Sequence, residues 1–100
     1  MKKKDIYIPH LNYMVKIRQA DIPPESVNNA LSWVVSSGKS SCTLFIDLKG
    51  KINAGDLAHE LIHVLQFISL NRNMDFQLEF EHFGFLMQWL MGQVLGYNWK

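Results

Sequence analysis

All three prolines of this 100-residue chain lie within residues 1–52, and residues 53–99 hold none. Proline fixes φ and removes a backbone donor, so it suits turns and sheet edges and breaks helix interiors. Most of the β-branched and turn-forming residues share the first half, while the second carries long apolar stretches. The chain therefore reads as extended pieces and turns followed by helices. At this length it supports one modest core, so residues 1–100 are expected to form a single domain.

Three extended pieces are predicted in the first half. The first runs from about Ile6 to Arg18 and is broken near Pro9; Tyr13, Val15 and Ile17 lie two apart, on one face of a strand. Asp21-Ile-Pro-Pro-Glu25 is a connector. The second piece is Ala30–Ser36 and the third Ser41–Leu48, joined by Ser37-Gly38-Lys39-Ser40, a hairpin turn in which Gly38 is free to take positive φ. Trp33, Val35, Thr43, Phe45 and Ile46 favour strands. The competing reading is a helix from Glu25 to Val35, or one confined to residues 24–31. Together the pieces predict a small antiparallel sheet of about three strands.

The second half predicts two helices. Asn53, with Asp56 three residues on, forms a capping pattern, and Ala58, Leu61, Ile62, Leu65 and Ile68 follow at helical spacing, so the first helix runs from Ala54 to about Leu70. Asn71-Arg72-Asn73 ends it. A second helix starts near Asp75 or Phe76 and runs to about Leu95, with Gly96 as terminator. The short connection makes the two antiparallel neighbours. The expected class is α+β.

Composition narrows the functional classes. Apolar residues make up 48% and charged residues 19%, as in a folded globular chain. Ten basic against nine acidic residues give a formal charge of +1, with no electrostatic case for nucleic acid. Cys42 is the single cysteine, which excludes a disulfide framework and fits a reducing compartment; it is expected to be a core thiol. Lys2-Lys3-Lys4 lacks the apolar stretch a secretion signal needs, and no run is long enough to span a membrane. The tri-lysine is expected to be a solvated tail and the protein cytoplasmic.

His59-Glu60-Leu61-Ile62-His63 falls inside the first predicted helix. Residues four apart lie one turn apart on the same face, so both imidazoles can bind one zinc ion at ~2.0–2.1 Å. Glu60 points ~100° away from His59, out of the coordination but within reach of a water the ion would acidify. The flanking Leu57, Ala58, Val64 and Leu65 predict that the motif sits in the core, where two histidines and a glutamate need a partner. Zinc is the simplest one, expected at one ion per chain.

A third protein ligand is expected from the second helix, where Glu79, Glu81 and His82 are candidates. On an antiparallel partner, the level of the histidines lies somewhat beyond Glu81. The two glutamates point ~200° apart, so at most one faces the metal. The Glu81 face continues through Gly84, Phe85 and Gln88, and Gly84 would permit close approach; the Glu79 face continues through His82, Phe83 and Leu86. Glu81 is preferred, with Glu79 second and His82 third.

Asp56-Leu-Ala-His59-Glu60-Leu-Ile-His63-Val-Leu-Gln66, followed by Glu81-His-Phe-Gly84-Phe85, resembles the gluzincin branch of the zincin-like metallopeptidases, and in particular the minimal gluzincins of bacteria and phages. The motif match covers residues 56–88, and the strands-then-two-helices order extends it loosely to about residue 12. The resemblance implies His59, His63 and Glu81 as zinc ligands and Glu60 as general base in peptide-bond hydrolysis. It also implies that the strand preceding the motif helix, Ser41–Leu48, pairs with an extended peptide or protein substrate. Gly84 stands where the family usually has alanine, and His10, His82 and Tyr97 are the candidates for oxyanion stabilisation.

A zinc-stabilised, non-catalytic protein-binding module is the alternative, since a small domain benefits from a metal staple. A metal-free helical interaction protein is the third reading. Trp89, Leu90, Met91, Val94, Tyr97 and Trp99 crowd the end of the second helix. Either they fold back on the sheet, or this helix forms a homodimer or partner surface.

Overall fold

The computed structural model describes residues 2–20, 32–47, 52–75 and 77–99. The chain is α+β, as the sequence predicts. Strands β1 (Lys3–Ile8), β2 (Tyr13–Ala20), β3 (Ser32–Ser36) and β4 (Ser41–Asp47) precede helices α1 (Ala54–Asn71) and α2 (Phe80–Leu95). Among the described residues the sheet differs from expectation in two ways: it has four strands rather than about three, and it is mixed rather than antiparallel. Its order is β1-β2-β4-β3, with β1–β2 and β3–β4 antiparallel and β2–β4 parallel.

The first extended piece divides because Pro9 opens a single 3-10 turn, Pro9–Leu11, and Asn12 takes a left-handed φ of 48° behind it. Asparagine tolerates that conformation, and here the Tyr7 hydroxyl donates to its Oδ1 at 2.7 Å. The chain reverses, and Ile8 faces Tyr13 while Ile6 faces Val15. At the other hairpin Gly38 takes φ +139°, as its place in the turn predicts. The helix alternative over 25–35 fails at residues 32–35, which are strand. The connector at 21–25 and the helix over 24–31 lie outside the described residues.

One face of the sheet is buried. Val15 pairs with Cys42 and Ile17 with Leu44 across the parallel seam, so Ile6, Ile8, Tyr13, Val15, Ile17, Cys42, Leu44 and Ile46 form one apolar layer. Leu57, Leu61, Val64, Leu65 and Ile68 of α1 cover it together with Phe83, Leu86, Leu90 and Val94 of α2. The cap of α1 is as predicted: Asn53 Oδ1 accepts from the amides of Gly55 (2.8 Å) and Asp56 (3.3 Å). Helix α2 starts later than expected, because Asp75 instead organises a turn, its Oδ1 accepting from the amides of Gln77 and Leu78.

Polar anchors set the helix directions. Arg72, at the end of α1, donates to the carbonyls of Leu11, Asn12 and Lys39. The start of α2 reaches the same place, where His82 meets His10. The far end of α2 lies by the start of β1: Lys4 Nζ donates to Gln93 O and stands over the Tyr97 ring, and Lys2 Nζ donates to Asn98 O. The tri-lysine is thus no solvated tail. Lys3 and Lys4 belong to β1; the Lys4 ammonium satisfies a carbonyl in the last turn of α2, where the helix dipole favours positive charge, and that of Lys2 satisfies Asn98 just past the helix. Trp99 folds back, 3% exposed, its Nε1 donating to Val94 O at 2.9 Å. Among the described residues no helix is long and apolar enough to cross a membrane.

Candidate metal centre

His59 and His63 lie one turn apart on α1 with ring centroids 5.0 Å apart and planes at 76°. The i, i+4 spacing brings them together as predicted, but their surroundings differ from expectation. The buried stripe of α1 runs through Leu57, Leu61, Val64, Leu65 and Ile68, and the two histidines fall on the other side, both exposed. Apolar neighbours in sequence do not put a residue in the core; at ~100° per residue, His59 and His63 point away from the face those neighbours bury. Glu60 lies on the flank of the helix and is half-buried.

Burial pushes the Glu60 carboxyl above its ordinary value; His59 and His63 pull the other way, and Asp56 adds to the rise. Gln66, one turn beyond His63, places its Oε1 3.0 Å from His63 Nδ1. With the amide oxygen accepting, Nδ1 carries the hydrogen and Nε2 keeps its lone pair for a metal. Sequence reasoning gave Gln66 no role, although its place three residues after His63 was the available signal.

The third ligand is not assembled. Among the described residues no group of three or more His, Cys, Asp and Glu side chains is arranged to hold a metal ion. The helix-phase reasoning that preferred Glu81 is corrected by α2. Its buried stripe is Phe83, Leu86, Leu90 and Val94, so Glu81, Gly84, Phe85 and Gln88 form an exposed face. Gly84 marks no close approach, since nothing lies within 4 Å of the position its Cβ would take. Glu79 is the N-cap residue of α2 and is also exposed. His82 pairs with His10, their Nε2 atoms 3.2 Å apart. Tyr97 stacks near Trp99 beyond the other end of α2, with ring centroids 4.5 Å apart.

Two further expectations meet the structure here. The strand that the resemblance assigns to an extended substrate is β4, and β4 is central, hydrogen-bonded to β2 on one side and β3 on the other. It has no edge to offer; the outer strands are β1 and β3. Cys42 is a core thiol, fully buried, and burial pushes it up to about 12 while its hydrogen bond with Tyr13 works against the rise.

The donor set fits zinc in two of the three ligands a hydrolytic site uses, both imidazoles on one helix face with a carboxylate beside them. Compared with protein-family models, with curated proteins and with solved structures, the chain matches none.

Proposed function

We propose that this chain is a zinc-dependent metallopeptidase whose centre is carried by α1. The observation behind the proposal is the pairing of His59 and His63 at 5.0 Å with Glu60 between them in sequence and Gln66 orienting one imidazole. His59 and His63 would hold one zinc ion, and an exposed carboxylate at the start of α2, Glu81 or Glu79, would have to move in to complete the set. Bound zinc supplies Lewis acidity that makes water nucleophilic near neutral pH. Glu60 accepts the proton that water loses as it attacks a peptide carbonyl. A carboxyl raised above its ordinary value is a stronger base for that step, and burial gives Glu60 this property. The buried single thiol fits a cytoplasmic protein, and exposed Phe85 and Trp89 on α2 fit a homodimer or partner contact.

Replacing Glu60 with Gln should abolish cleavage of a peptide library while zinc stays bound, because the amide keeps the shape and loses the basicity. Zinc loss in that variant would overturn the division of roles. Chelator competition on Glu79→Ala and Glu81→Ala identifies the third ligand by which variant releases the metal. The alternative is a zinc-stabilised, non-catalytic binding module. Its support is the exposure of both histidines and the filled edges of β4. Zinc-loaded wild type that cuts no peptide decides for it.

A further inference from the structure

The fold builds a second histidine pair away from the motif helix. His10 lies in the 3-10 turn after β1 and His82 in the first turn of α2, 72 residues apart in the chain. Their Nε2 atoms stand 3.2 Å apart, with ring centroids at 5.0 Å and planes at 71°. We propose that His10 and His82 form a binding site for a divalent transition-metal ion such as zinc, with the two Nε2 atoms as its protein ligands.

The spacing is that of a metal edge. Two imidazole nitrogens bound to one zinc at ~2.0–2.1 Å with tetrahedral angles stand about 3.3 Å apart. Without a metal, one ring must donate to the other; with one, both lone pairs are used. The pair also matches the arrangement of His59 and His63, whose centroids are likewise 5.0 Å apart with planes at 76°.

The backbone at both ligands is held in place before any ion arrives. Pro9 fixes the backbone beside His10. Arg72 donates to Leu11 O and Asn12 O, each at 2.7 Å, and clamps the turn from the other side. His82 precedes Phe83, a core residue 1% exposed, so its position is set by the packing of α2. Such preorganisation lowers the ordering cost of binding.

The surroundings leave room for further donors. The histidines line a cavity of about 320 Å³ whose other walls include Ile8, Phe85, Leu86 and Trp89. The cavity is open to solvent, with His10, Phe85 and Trp89 all exposed. No third His, Cys, Asp or Glu joins the pair among the described residues. The remaining coordination positions therefore belong to water or to a donor atom of a small ligand whose apolar part fills the cavity.

The test uses the full chain with His59→Gln and His63→Gln in place, which removes the α1 centre and leaves this one. That protein should still bind one equivalent of Zn2+ in competition with a chromophoric chelator. Adding either His10→Gln or His82→Gln should weaken binding by more than the roughly 10–100-fold that losing a mere supporting contact costs. With Cu2+ as probe, the paramagnetic resonance spectrum of the same background should show coupling to two nitrogens. This reading needs no further substitution, so it stands even where a histidine variant folds poorly. No bound zinc in the background, zinc binding unaffected by both added substitutions, or copper coupled to fewer than two nitrogens would each overturn the proposal. Because the two pairs can be removed separately, a chain with His10→Gln and His82→Gln that binds no zinc counts only against the metallopeptidase reading.

Discussion

Removal of Arg72 should cost this fold a large share of its stability. Its guanidinium donates through Nε to Leu11 O at 2.7 Å, through one terminal nitrogen to Lys39 O at 2.8 Å and Asn71 O at 3.2 Å, and through the other to Asn12 O at 2.7 Å and Ser40 Oγ at 3.1 Å. It also lies 5.3 Å over the Tyr13 ring. One side chain thus ties the end of α1 to the β1–β2 turn and the β3–β4 turn. A hydrogen bond to a charged group is worth about 1.5–3 kcal/mol when sheltered and much less where water can replace it. The Leu11 bond is partly buried and those to Lys39, Asn12 and Ser40 are exposed, so the discount is large. With the ring contact included, Arg72→Ala should lose about 3 kcal/mol. In a domain of this size that lowers Tm by roughly 12–24 °C. Arg72→Lys keeps the charge but not the planar fork, and should recover less than half of the loss. Urea unfolding followed by far-UV circular dichroism measures both variants. A loss below about 1 kcal/mol for Arg72→Ala would show that water replaces the clamp, and full recovery with lysine would show that the charge alone, without the planar fork, carries it.

Three further outcomes are expected. Asn53→Ala removes the α1 cap and should cost about 1 kcal/mol, read from the urea midpoint, whereas Asn53→Asp should cost far less. Gly38→Ala meets no steric neighbour but places a Cβ at φ +139°, so it should destabilise by about 1–3 kcal/mol through backbone strain alone, which thermal melts will register. Cys42 and Tyr13 both have folded-state values raised to about 12, from ordinary values of 9.0 and 10.0. The folded state therefore holds their protons more tightly: stability is intact below pH 9 and falls as pH climbs toward 12, by up to about 1.4 kcal/mol per pH unit for each group. Cys42→Ala should flatten that decline, and parallel pH profiles for variant and wild type would contradict the assignment.

The elements that could be read in the sequence are those whose signals are local. Asn53 and the apolar period behind it placed α1 within a residue of its observed end, and the alternation of Tyr13, Val15 and Ile17 put the right residues on the buried face of β2. Strand order was not legible, because the parallel seam pairs Val15 with Cys42 and nothing near either residue announces the other. The phase of α2 was hidden for a different reason. Phe80, Phe83, Phe85, Leu86, Trp89 and Leu90 are apolar almost all round, so hydrophobicity cannot say which of them are buried; Phe83 proves 1% exposed and Phe85 68%. The histidine pair of α1 was fixed by spacing alone. Its exposure was not, since the side to which a helix turns a given residue depends on the sheet it covers. His10 escaped notice as a partner of His82 because their meeting depends on where α2 begins along β1.

The sheet is in effect two hairpins joined along one line. Each hairpin closes a short loop, so β1 with β2 and β3 with β4 can form within microseconds of each other and independently. The line between β2 and β4 has no such local help: every pair across it is 27 residues apart, as Val15 and Cys42 are. Neither hairpin can bury its apolar face until they meet, and α1 and α2 have no layer to cover before then. The rate of folding should therefore be governed by the encounter of two preformed halves, and the parallel line is where a misfolded chain would first come apart or find the wrong neighbour.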